Sequence, residues 1–289
     1  MNTQNCLVYE KVVKSFGKKT VLNGVNLTIE PGKIYGLIGR NGIGKTTLLS
    51  IMTGQNTCDS GSVTYGGMRV WENEKAVSQI CFSRELSPTM LFGQNTLRVK
   101  EYFKMASCYY PAWDAEYAKR LAKEFGLDLK KKVCKMNKGM MSMVTITLAL
   151  ASRAPITILD EPVAGLDVYM RDRFYDLLLA DYEETGRTFI ISTHIIEEAA
   201  NLLEETIILN DGTITLKENT QELIDSCRYV SGLAETVDRA ANGYERLHTE
   251  ALGRSKTVCI RTKPGQQLDL SAYGNELTVS PVPLQKIFV

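Results

Sequence analysis

Nine consecutive residues, Gly39-Arg40-Asn41-Gly42-Ile43-Gly44-Lys45-Thr46-Thr47, constrain this chain more than any other segment. They fit the pattern GxxxxGK[ST], which is informative only between a strand and a helix. That context is present. The apolar run Ile34-Tyr35-Gly36-Leu37-Ile38 reads as a short buried strand, and Thr46 to Met52 reads as a helix ending at Gly54. Glycines let several backbone N–H groups converge on one anion without side chains in the way. The helix that follows directs its positive end at the same point. The segment therefore implies a phosphate cradle, with Lys45 for the β and γ phosphates and the Thr46 hydroxyl for Mg²⁺.

A second element has matching chemistry. Ile156-Thr157-Ile158-Leu159-Asp160-Glu161-Pro162 reads as a buried strand ending in two carboxylates. Strand carboxyl ends in open α/β sheets face the ligand crevice. Asp160 there suits a Mg²⁺ ligand, and Glu161 suits a group that orients or deprotonates an attacking water. A polar strand end capping the next segment is the plainer reading. His194 follows the apolar stretch Thr188 to Ser192 and sits at a third strand end. A hydrogen bond to the γ-phosphate and a half-buried structural histidine are its two readings.

The remaining pattern is α/β. Leu7 to Val13 and Val25 to Ile29 read as early strands, with turns at Gly17-Lys18-Lys19 and Pro31-Gly32. From about Thr96 to Ala151 the period is helical, with Gly126 as a stop. Helices are also expected over Tyr169 to Glu184 and Ile195 to Leu203. Thr206 to Leu209 and Thr213 to Leu216 flank Asp211-Gly212, a hairpin signal. Asn219, with Glu222 three residues later, begins a tail whose periodicity weakens beyond Val230, although Thr257 to Arg261 looks like a strand. Strands alternating with helices imply a largely parallel sheet.

Thirty-four Lys and Arg balance 33 Asp and Glu, which gives no electrostatic case for a nucleic-acid partner. Seven scattered cysteines with no CxxC pair fit neither a disulfide framework nor a zinc site. The start lacks a signal-peptide pattern, and no run of about 18 apolar residues occurs. A role in transport would need another chain to form the pathway.

Over roughly residues 5 to 218 these motifs, in this order, resemble the ABC ATPase family of transporter subunits. The resemblance implies a P-loop NTPase fold with a RecA-like core, an N-terminal antiparallel β subdomain and a helical insertion at about 95–151. The ATPase domain would span 1–218, with a small C-terminal extension over 219–289. The phosphate loop, Ile156 to Glu161 and His194 match the family's Walker A, Walker B and switch-histidine positions. Ala164-Gly165-Leu166-Asp167 looks like its D-loop, with Asp167 acting across a dimer interface. Phe16 falls where the family stacks an aromatic on adenine, and ordinary core packing fits it equally.

Two departures stand out. The family's LSGGQ signature, which reaches the γ-phosphate of the opposite subunit, corresponds to Met136-Asn137-Lys138-Gly139-Met140. Asn137 can still donate, Gly139 remains, and Lys138 either adds charge or sits in solvent. At the Q-loop, within Ile80 to Glu85, the usual glutamine is replaced by Glu85, either a metal ligand or a plain loop residue.

The resemblance implies a transport-coupled ATPase using ATP and Mg²⁺, working as a homodimer or heterodimer with integral-membrane permease subunits at the cytoplasmic face of the membrane. Lys138-Gly139-Met140 and Tyr110 to Asp114 look like bacitracin-resistance and acetoin- or antibiotic-responsive exporters. Met90, Leu91, Phe92, Tyr102 and Phe103 are candidates for lining a permease groove or for core. The altered signature also leaves open a regulatory subunit that hydrolyses slowly. Soluble relatives acting on DNA or ribosomes fit less well, because the chain has no sustained heptads and a single phosphate loop.

Overall fold

Apolar and polar residues alternate over the first thirty positions and produce an antiparallel pair, β1 (Leu7–Phe16) and β2 (Lys19–Ile29). Leu7, Tyr9 and Val12 are buried while Glu10 and Lys11 are exposed. Both strands outrun their expected apolar stretches, because backbone pairing continues through Ser15 opposite Thr20 to the turn at Gly17. The computed structural model describes residues 5–86, 97–263 and 265–287. Met90, Leu91 and Phe92 lie outside that range.

β3 (Ile34–Ile38) is buried at every residue and leads through the glycine loop into α1 (Lys45–Met52). β4 (Ser60–Tyr65) and β5 (Met68–Arg69) extend the first sheet in the order β2-β1-β4-β5. α2 (Glu74–Val77), capped by Asn73, precedes β6 (Ile80–Arg84). The expected helical stretch resolves into α3 (Val99–Ser107), α4 (Ala115–Glu124) and α5 (Lys138–Ala151). Local chemistry sets the breaks. Asp114 caps α4 by accepting from the Tyr117 N–H at 2.8 Å, and Gly126 beyond its end takes a left-handed φ of 62°.

β7 (Ile156–Asp160), α6 (Val168–Thr185) and β8 (Thr188–Ser192) follow, with Gly186 ending α6 in the left-handed region. α7 is a single turn, Ile196–Ala199, and not the helix expected over Ile195 to Leu203. Its N-cap position is Ile195, which has no side-chain oxygen to satisfy the first amides. β9 (Glu205–Asn210) and β10 (Thr213–Asn219) are joined through Asp211 and Gly212, both at positive φ, as a tight two-residue hairpin requires. The Gly212 carbonyl accepts from the Asn23 N–H of β2 at 2.8 Å.

Six strands form a second sheet ordered β10-β9-β3-β8-β7-β6, with parallel pairing from β9 through β6. Register decides what this sheet can do. Leu37 pairs with Ser192, Ser192 with Asp160 and Asp160 with Arg84, so four strand ends lie in one row. The core joins both sheets around Leu48, Leu49, Ile158 and Ile190, and each such side chain stabilises by about 1.5–3 kcal/mol. The Tyr9 hydroxyl crosses this core to the Leu48 carbonyl at 2.6 Å. Phe103 is buried and Tyr102 half-buried. On α6, the fully buried Asp181 carboxylate accepts from Arg187 Nε at 2.7 Å and Arg153 Nη1 at 3.1 Å.

Residues up to His194 with Leu202–Lys217 form one compact unit, and Ile195–Asn201 with the chain from Glu218 form a second. In the second, Asn219 caps α8 (Thr220–Ser226) through the Glu222 N–H, as its spacing predicts. β11 (Cys227–Leu233), β12 (Glu245–Leu252), β13 (Ser255–Arg261) and β14 (Leu277–Pro281) make an antiparallel sheet ordered β12-β13-β11-β14. α9 (Ala234–Ala240) packs on it through Val237, against Val230, Val258 and Ile260. Among the described residues no helix is long and apolar enough to cross a membrane.

Candidate active site

The row of strand ends opens onto a pocket of about 270 Å³ lined by Phe16, Val21, Asn41, Gly42, Gly44, Lys45, Thr46, Thr47, Asp160 and Glu161. Its floor is the glycine loop. Gly42 and Gly44 stand at φ 75° and 118°, and a Cβ on Gly44 would lie 2.8 Å from the Val21 side chain. A Cβ on Gly39 would meet the Leu209 carbonyl at 2.7 Å. Ile43 turns into the core and anchors the loop, while Arg40 and Asn41 are solvent-exposed. Gly44 stands at the N-cap of α1 and offers no side-chain acceptor, so the first amides of the helix face the pocket mouth uncapped.

Lys45 is 7% exposed, and its ammonium donates to the Gly39 carbonyl at 2.7 Å and the Arg40 carbonyl at 3.3 Å. Burial pulls its pKa below the ordinary lysine value, while the Glu161 and Asp160 carboxylates oppose that shift. A desolvated cation with two weak neutral acceptors is set to prefer an incoming polyanion. The Thr46 hydroxyl donates to Asp160 Oδ2 at 2.8 Å. These are two hard oxygen donors, one anionic, beside a buried lysine, and this donor set fits Mg²⁺ next to phosphate.

Glu161 adopts a left-handed φ of 52°, a conformation costing a non-glycine residue about 1–2 kcal/mol. Its N–H donates to the Ser192 carbonyl at 2.8 Å, which binds the turn to the neighbouring strand end. The turn aims the side chain so that Oε2 lies 2.7 Å from His194 Nδ1. His194 is half-exposed and does not line the pocket itself. Phe16 stands at the pocket rim, 52% exposed, with the Lys14 ammonium 5.4 Å from its ring centroid. It is therefore not a core phenylalanine.

A second pocket, about 380 Å³, holds Asn137, Lys138, Gly139, Met140, Met143, Gly165, Leu166, Asp167 and Met170. Asn137 caps α5 by accepting from the Met140 N–H at 2.8 Å, and Asp167 caps α6 by accepting from the Met170 N–H at 2.9 Å. A Cβ on Gly139 would lie 2.6 Å from the Gly165 carbonyl, so only glycine permits this approach. Ser142 Oγ donates to the Ala164 carbonyl at 2.7 Å. Glu85 lines neither pocket. Its carboxylate pairs with Lys138 Nζ at 3.0 Å. The sequence has no signal for Val21 in the first pocket, since a distant segment brings it in, whereas Met143 and Met170 in the second lie one helical turn beyond Gly139 and Asp167 and follow from helix periodicity.

The sequence profile of the ABC transporter family matches residues 22–164. The taurine import ATP-binding protein TauB of Escherichia coli O157:H7 is 31% identical over 206 residues, covering 68% of this chain and 76% of that protein. The Nod factor export ATP-binding protein I of Burkholderia lata is 31% identical over 228 residues, covering 75% and 72%. A solved ATP-binding subunit of an ABC transporter superposes with a TM-score of 0.64 at 25% identity, over 74% of this chain and 89% of that one.

Proposed function

The chain belongs to the ABC transporter ATP-binding family and is an ATPase that drives transport, and on that premise we propose a residue-level mechanism for its cycle. The observation that carries it is the convergence of Lys45, Thr46, Asp160 and Glu161 on one pocket at the row of strand ends. The amides of Gly39 to Thr47 receive the triphosphate, and Lys45 exchanges its two carbonyl partners for phosphate oxygens. Phe16, open at the rim, offers a face on which adenine stacks. Thr46 and Asp160 would hold Mg²⁺, which neutralises charge developing on the phosphates. Glu161 orients the attacking water and takes its proton, and His194, held by that carboxylate, would donate to the γ-phosphate.

Asn137, Lys138, Gly139 and Asp167 form the face that meets the nucleotide of a second cassette, placed head to tail. Two cassettes closed around ATP and released by hydrolysis convert the differential contacts of the two states into motion. Separate membrane subunits receive that motion at the cytoplasmic face. Export of a peptide, antibiotic or small molecule is the direction favoured by the segments around Lys138 and Trp113; the relatives include proteins named for import and for export.

A slow, regulatory cycle has one observation in its favour. The Asn137 side-chain oxygen and the Lys138 ammonium are both committed to partners within this chain. Calorimetry of the purified chain with ATP and Mg²⁺ tests the central reading. Saturable one-site heat supports it, and no heat at millimolar ATP removes it.

A further inference from the structure

Lys138 has two attachments. Its ammonium lies 3.0 Å from the Glu85 carboxylate, just beyond the end of β6. Its alkyl stem runs over Gly165, where a Cβ would meet three Lys138 carbons at 2.7–3.1 Å. Gly139 and Ser142 fasten the same helix start to the 164–165 backbone. The start of α5 and the loop from Glu161 to Asp167 are thus packed as one block, and Glu85 is that block's ionic tie to the strand end beside Asp160.

We propose that Glu85 and Lys138 act as one charge pair that positions the α5 start and the 161–167 loop for hydrolysis, and that Glu85 is a positioning residue and not a ligand of the metal. The chemistry favours this. Glu85 does not line the nucleotide pocket that holds Thr46 and Asp160, and its carboxylate lies 3.0 Å from the Lys138 ammonium. The two positions at which the sequence departs from its family's pattern are also the two ends of this one contact. The inference rests on the function proposed above.

The test is a charge swap in the full chain, read as steady-state ATP hydrolysis with ATP and Mg²⁺ titrated separately. Glu85→Lys and Lys138→Glu each place like charges together and should lower kcat about two- to fivefold, with the Mg²⁺ half-saturation of Glu85→Lys unchanged. The double variant E85K/K138E restores opposite charges and should exceed both single variants in kcat. A carboxylate at position 138 also suits a helix's first turn, so folding is retained, and thermal melts check this. A double variant as impaired as Glu85→Lys alone, with a raised Mg²⁺ requirement, overturns the proposal in favour of a metal role. An active wild type with both single variants at its rate overturns the pair alone. A wild type that neither binds nor hydrolyses ATP overturns the function and the pair together.

Discussion

The Thr46 hydroxyl and the Asp160 carboxylate meet at 2.8 Å across 114 positions of sequence. One begins a helix and the other ends a strand, and the parallel register of the second sheet is what joins them. Asp160→Asn keeps an acceptor for the hydroxyl but loses the anionic oxygen. It should leave the melting temperature within a few degrees while Mg²⁺-dependent hydrolysis falls by about a hundredfold or more. Parallel melts and ATPase assays separate the two effects.

Glu161 carries both a chemical role and backbone strain. Glu161→Gln should lower steady-state hydrolysis by about 10²–10⁴-fold with ATP affinity nearly unchanged, since the amide cannot take the proton. Glu161→Gly should be equally inactive yet no less stable, because glycine relieves the left-handed conformation by about 1 kcal/mol. A Glu161→Gln enzyme at full rate would remove this residue from the mechanism.

For Lys45 the expectation concerns pH and the ATP-free protein. Burial lowers its folded pKa below the ordinary value of 10.5. Below the folded pKa the lysine is charged in both states, and the cost of burying that charge is fully present. Between the folded pKa and 10.5 the unfolded chain holds a proton the folded chain lacks, so stability rises with pH. Urea melts of wild type against Lys45→Met should show the wild type gaining over that window, and Lys45→Met should also bind ATP far more weakly.

Asp181 is expected to matter for stability alone. Replacing it by alanine leaves the buried Arg187 guanidinium without a carboxylate, while Arg153 keeps Asp114 and Glu184, a loss of about 3 kcal/mol. The melting temperature should fall by roughly 10 °C. Hydrolysis measured well below the new transition should stay near wild type.

The cysteines report on the second unit. Cys108 is exposed, whereas Cys227 and Cys259 are buried, and burial together with the adjacent Cys227 pushes the Cys259 thiol up to about 12. An aromatic disulfide reagent at pH 8 should label Cys108 rapidly and leave Cys227 and Cys259 unmodified until denaturant is added. Early labelling of Cys259, read by mass spectrometry, would contradict the β11–β13 packing.

What the sequence made legible follows from how local the signals are. β3, β7 and β8 are short apolar runs ending in diagnostic residues, and Gly39 to Thr47, Asp160 and Glu161 sit beside them in the chain. β11, β12 and β14 gave no such signal. β12 has no buried residue, so its sequence, Glu245 to Leu252, lacks apolar alternation and its pairing with β13 decides its conformation. Val21 and the Glu85–Lys138 pair were equally invisible, because each is made by segments that meet only after folding.

The Asp211-Gly212 turn has a bearing on the nucleotide pocket that its position far along the chain conceals. It holds the Asn23 amide, and a methyl group on Gly212 would come within 2.8 Å of the Val21 carbonyl. Gly44 presses the same valine from the phosphate side. Val21 is thus wedged between two glycines that belong to different parts of the chain. Enlarging Gly212 would press on Val21, which lines the cleft, so the shape of the pocket would be tuned by a hairpin tip remote from the chemistry.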